Sequence, residues 1–349
     1  MSIISEIIRI SKVRQANLSK KKGNLLKSDK LFNKLQILYP NHKSILFNHA
    51  EVKTLLYNYE KAIEYYKKSS ELSARLGLLK EVDKCIKRIE ELNILIHNQK
   101  EFDDYISSIG NISNLNSQLL LLKEDLKSDA SEDKIDEFYN KVENISKPIY
   151  DKIFEDLLNG TNAKIGFNAV VNIADKIQTN NIQPIYKIET LINKLSTLSQ
   201  RFFITAETLF RSSLFSRDNM DISFIILPYN QTIEREIDFR IISPLRTWCL
   251  DQKIVFKTFN LKKLTLGRCP FLFKEEKVKE FIRDNFKENV SRFITKEFSN
   301  KISRLAKLRN PMFHAKKIAS YNDVSEFREI LLNDSFLERI AEIRTIHDL

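Results

Sequence analysis

The chain has 349 residues, enough for two hydrophobic cores, and its 6 glycines and 7 prolines are few for that length, which argues for helices with short connections. A formal net charge of +11 suits an anionic partner. The three cysteines lack metal-ligand spacing, the N-terminus is too charged for a signal peptide, and no apolar run reaches membrane length; the expectation is a cytoplasmic protein with no membrane span, metal or cofactor.

Residues from about Ser11 to Asn98 show an internal register of about 34 residues. In it Ala16 aligns with Ala50, Ser28 with Ala62 and Phe32 with Tyr66, and Pro40 ends the first unit. Small residues at 50 and 62 let two helices approach, and Tyr66 fills the space beside them. The run from Ala50 to Tyr66 resembles a tetratricopeptide (TPR) repeat. That resemblance implies helical hairpins and an arm, residues 1–100, that docks a protein partner or senses a signal. A third unit from Leu78 to Ile96 keeps apolar residues at helical spacing and suits a capping helix. Lys20 to Lys22 reads as a solvated face.

From Glu101 to Lys147 the balance turns acidic, and residues 101–184 read as a helical connector with a loop or cap at Ser128 to Asp133. Helical patterns follow at Ile149 to Leu158, Phe167 to Ile177, Pro184 to Leu198 and Phe202 to Leu214. Ile222 to Leu227 fits a short strand or a buried helix start. Asn230 reads as the cap of a helix running to Pro244, and Trp248 as a core residue. Ile254 to Thr265 reads as a loop or irregular edge, and the segment around Gly267 and Pro270 as a helix or turn. Further helices are expected at Lys274 to Phe286, Val290 to Leu308, Pro311 to Ile318 and Asp323 to Ile346.

Between the last of these lies Arg304 to Lys317, RLAKLRNPMFHAKK, which places polar chemistry inside a core-seeking segment. Asn310 followed by Pro311 is a helix-start signature. A guanidinium holds a phosphate bidentately, and an imidazole titrates near neutral pH, so Arg309 and His314 together cover charge stabilisation and one proton transfer. Basic residues gather around them: Lys301, Arg304, Lys307, Lys316 and Lys317 are the expected RNA-backbone contacts, with Phe293, Phe298 and Phe313 interleaved mainly as core. Glu234 and Asp238 are the expected supporting acids.

Arg309-Asn310-x-x-x-His314 resembles the RxxxxH signature of the HEPN superfamily, with the polar residue that its ribonucleases favour after the arginine. The resemblance implies a helical domain, residues 185–349, that forms a homodimer, brings two motifs together and cuts RNA without metal, with Arg309, Asn310 and His314 catalytic. Pro311 departs from a regular helix at that point. The chain therefore reads as all-α: TPR-like hairpins, a connector and an HEPN-like bundle. Its expected activity is endoribonucleolytic, in a defence or toxin-like setting. The alternative is a non-catalytic adaptor that dimerises and binds protein or nucleotide. Exposure of Arg309 and His314 in a basic cleft favours the first, and burial in ion pairs the second.

Overall fold

The computed structural model describes residues 3–110, 112–125, 132–159, 188–212, 214, 221–256, 258–261, 264–314 and 318–346, with the backbone alone at 3–5, 98, 112–113, 124–125, 132–136, 158, 189, 311–314 and 334. The fold is all-α, with no strand among the described residues. The chain divides into two units: Met1–Gly110 with Glu155–Tyr186 and Arg211–Leu214, and Asn111–Phe154 with Lys187–Phe210 and Phe215–Leu349. Residues 101–184, read from sequence as one connector, are shared between them.

The first unit is built on helices α1 (Ile3–Lys21), α2 (Leu25–Leu38), α3 (Lys43–Leu55), α4 (Tyr59–Arg75) and α5 (Leu79–Ile109), each packed on the next. The sequence register reappears in their boundaries. α1 and α3 end 34 residues apart, at Lys21 and Leu55, and α2 and α4 begin 34 apart, at Leu25 and Tyr59. Gly23 and Tyr57, one period apart in the two turns, both take left-handed backbone, which glycine adopts freely. Tyr57 is held against the Arg211 guanidinium, 5.5 Å from its ring. All six aligned residues, Ala16, Ala50, Ser28, Ala62, Phe32 and Tyr66, are buried. The Ser28 hydroxyl donates to the Ala16 carbonyl at 2.9 Å, so the polar member of the set ties its two helices together. The expected third unit is the first half of the single long helix α5.

A polar network crosses this unit. The buried His49 ring lies 2.9 Å from Gln36 Oε1 and 2.9 Å from Asp29 Oδ1, and Lys53 pairs with Asp29 at 2.8 Å. Further on, Gln99 donates to the Arg211 carbonyl at 2.8 Å and Ser212 to Asp103 at 2.7 Å, which fixes Arg211 and Ser212 on α5.

In the second unit a helix from Ser223 to Ile237 is buried along most of its length, and continues through a π turn (Asp238–Ile242) into Ser243–Asp251. Ile222–Leu227 is thus a helix start, not a strand, and Asn230 is an interior residue, not a cap. Proline at 228 removes the donor that the Phe224 carbonyl needs. The Tyr150 hydroxyl supplies one at 2.5 Å. Proline at 244 is tolerated because the π turn just before it already breaks the regular ladder. Arg328 clamps Glu207 bidentately at 2.7 and 3.0 Å, and Tyr229 donates to the same carboxylate at 2.7 Å. Phe273, Phe293, Phe298 and Phe336 pack at ring separations of 5.3 to 6.0 Å, so Phe293 and Phe298 are core.

Two expected helix boundaries move. A single helix, Ser299–His314, runs through the Asn310–Pro311 pair that read as a helix start. The carbonyl left without a donor by Pro311 belongs to Lys307, an exposed residue, so water is available to it. The expected helix from Asp323 to Ile346 is broken into Tyr321–Leu332 and Phe336–Ala341, with Ser335 left-handed between them. Ile254 to Thr265 has no regular structure where it is described. The expected helix Phe167 to Ile177, the beginning of Pro184 to Leu198, and the Ser128 to Ser131 part of the expected loop lie outside the described residues.

Candidate functional site

Helical periodicity decides which way the motif faces. Ile302, Leu305, Ala306 and Arg309 recur at three- and four-residue spacing and form the buried stripe of the Ser299–His314 helix. Arg309 is 6% exposed. Its Nη1 lies 3.3 Å from Glu234 Oε1, an oxygen that also accepts the Leu266 amide at 2.9 Å. The guanidinium carbon sits 5.6 Å from the centre of the Tyr139 ring. Asn230 donates to the Tyr139 hydroxyl at 3.0 Å. Burial, with the Glu234 charge second, pushes the Tyr139 phenol well above its ordinary range, so it stays protonated. The same two causes, in the same order, raise the Cys269 thiol.

The cluster is incompletely satisfied. Arg309 Nε, Asn310 Oδ1 and Asn230 Oδ1 are buried atoms without hydrogen-bond partners among the described residues. Each such atom costs about 1–3 kcal/mol. The Arg309–Glu234 contact is also long for a charge-assisted bond, which runs about 2.7–2.9 Å. Arg328 on Glu207, in the same unit, shows what a structural arginine looks like here: two short parallel bonds to a fully buried carboxylate.

Of the residues expected at the site, Arg309 and Glu234 meet, and Asn310 follows Arg309 in sequence. His314 closes the same helix, one turn beyond Asn310 along the backbone. Asp238 is elsewhere engaged, with Arg246 at 2.9 Å. Arg304 and Lys307 lie on the exposed side of the helix, Arg304 paired with Glu326 at 2.9 Å. Lys301 donates to the Asn333 carbonyl at 3.1 Å and lies 5.0 Å from the centre of the Phe336 ring. Lys316 and Lys317 lie outside the described residues.

Sequence reasoning missed Tyr139 and Asn230. Tyr139 lies in a stretch dominated by its acidic charge, yet Phe138, Val142, Ile149 and Ile153 keep the helical apolar spacing that marks a packed face. Asn230 was obscured by its likeness to a cap. Among the described residues no three His, Cys, Asp or Glu side chains gather as a metal site would require. Comparisons with protein-family models, with curated proteins and with solved structures find no match to this chain.

Proposed function

We propose that the chain is a metal-independent endoribonuclease of HEPN type, acting as a homodimer, with the described conformation its resting state. The observation that supports this reading is the poor use of Arg309: a buried guanidinium that, among the described residues, has one long hydrogen bond and an unpartnered Nε, beside an Asn310 Oδ1 unpartnered among the same residues. Structure held for stability alone satisfies such groups, as Arg328 does; an incompletely satisfied buried charge fits a residue kept for a ligand. A phosphate oxygen is the acceptor that a guanidinium edge takes best.

In the reaction the 2′-oxygen attacks phosphorus, the bond from phosphorus to the 5′-oxygen breaks, and the leaving oxygen takes a proton. Arg309 neutralises the charge on the phosphorane oxygens, His314 removes the 2′ proton or delivers one to the 5′-oxygen, and Asn310 positions the phosphate. A single imidazole does not perform both transfers at once, so two motifs in a dimer supply base and acid together. The N-terminal arm docks a partner or senses the signal that releases Arg309, in a defence or toxin-like setting; that step rests on analogy of fold.

The burial of Arg309 against Glu234 favours a second reading, a non-catalytic adaptor in which the pair is an internal ion pair. Cleavage of labelled single-stranded RNA and tRNA in EDTA separates the two. The ribonuclease reading expects cleavage by the wild-type chain and none by Arg309→Ala or His314→Ala, each checked for folding by circular dichroism. Equal cleavage by all three overturns it.

A further inference from the structure

The chain's positive charge is not spread evenly. Its first 50 residues hold ten lysines and arginines against two acids, eight of the eleven net charges. Folding sorts these residues. Lys20 turns inward and pairs with Glu51 at 2.6 Å, while Lys21, Lys22, Lys27, Lys30 and Lys34 are exposed and make no ion pair among the described residues. The three on α2 are three and four residues apart, which puts them on one side of the helix at successive steps of about 4.5 and 6 Å along its axis. Lys21 and Lys22 stand at the turn that leads into α2, whose first turn carries no acid. The one acid of α2, Asp29, is taken by Lys53 and His49. Nothing on α2 offsets the stripe.

We infer that the outer face of the α1–α2 hairpin is a binding surface for the backbone of single-stranded RNA. The inference takes its polymer from the proposed function but does not depend on cleavage. A row of uncompensated lysines follows a phosphate chain without reading bases, and Phe32, the one aromatic residue of α1 and α2, is turned fully into the core. An anionic membrane surface is the weaker match. On α2, Leu25, Phe32 and Leu35 are spent on the unit's own core, which leaves only Ile37 and Leu38, exposed in its last turn, as apolar residues for a bilayer to take.

The test uses the full chain carrying His314→Ala, so that RNA survives, and a fluorescent 20-nucleotide oligouridylate titrated at several salt concentrations. Replacing Lys27, Lys30 and Lys34 together by glutamine is expected to weaken binding about tenfold at low salt. It also lowers the slope of log K against log salt by about 2, that is about 0.7 for each phosphate no longer neutralised. Replacing the exposed Lys67, Lys80 and Lys87 by glutamine is expected to leave both nearly unchanged. Equal losses from the two triple variants, no binding by the parent, or binding to phosphatidylserine vesicles with none to RNA would each overturn the inference. No binding by the parent while the wild-type chain still cleaves RNA would remove this surface and leave the ribonuclease standing; binding without cleavage by the wild type would do the reverse.

Discussion

Arg309 and Glu234 meet through one contact, Nη1 to Oε1 at 3.3 Å, across 75 positions of sequence. Glu234 keeps the Leu266 amide as a second partner, and its side chain is 23% exposed, so it does not rely on Arg309. Arg309→Met is therefore expected to change unfolding free energy by less than about 1 kcal/mol, because a loosely paired buried charge is replaced by an apolar chain of similar reach. Urea unfolding of the two proteins measures it. A loss of several kcal/mol would make Arg309 a structural pin and favour the adaptor.

The opposite is expected at Arg328. Arg328→Met removes the cation from Glu207, which is fully buried and retains the neutral Tyr229 hydroxyl as a donor. Breaking a buried pair from one side costs about 3–5 kcal/mol. The urea midpoint is expected to fall far more than for Arg309→Met, and equal shifts would mean that geometry does not separate the two arginines.

Tyr150→Phe removes the hydroxyl that fills the gap left by Pro228. The Phe224 carbonyl then loses that hydrogen bond, at a cost of about 0.5–1.5 kcal/mol. The double variant with Pro228→Ala restores the helix's own donor and is expected to recover much of that loss, which a thermodynamic cycle on urea unfolding reads directly.

Asp29 gives the first unit a pH dependence. Burial pushes its carboxyl up, but the hydrogen bonds from His49 and Lys53 outweigh burial and leave it below the ordinary 3.8. The folded state thus favours the ionised form, and its contribution is present above about pH 4 and lost as the pH falls through the lowered value. The stability difference between the wild type and Asp29→Asn is expected to be largest near neutral pH and to shrink at pH 3. A difference that persists unchanged at pH 3 would contradict this.

What the sequence carried depended on how local its signals are. The 34-residue register survives in helix ends and in the burial of Ala16, Ala50, Ala62 and Tyr66, because small and large residues at fixed spacing act within one hairpin. Pro244 and Pro311 misled, since helix runs through both: a π turn precedes Pro244, and the carbonyl freed by Pro311 is that of the exposed Lys307. The contact between Glu234 and Arg309 was legible as charge on one helix facing a motif on another. Asp238 was not separable from Glu234 by sequence; its partner Arg246 lies eight residues on, beyond the π turn. Tyr139 was hidden by the acidic residues around it.

The most direct measurement of the central claim is mass spectrometry of the ends left on a short synthetic RNA incubated with the wild-type chain in EDTA. The account predicts 2′,3′-cyclic phosphate on one fragment and a 5′-hydroxyl on the other, and no fragments from His314→Ala. Fragments ending in 3′-hydroxyl and 5′-phosphate, or the same fragments from both proteins, would contradict it.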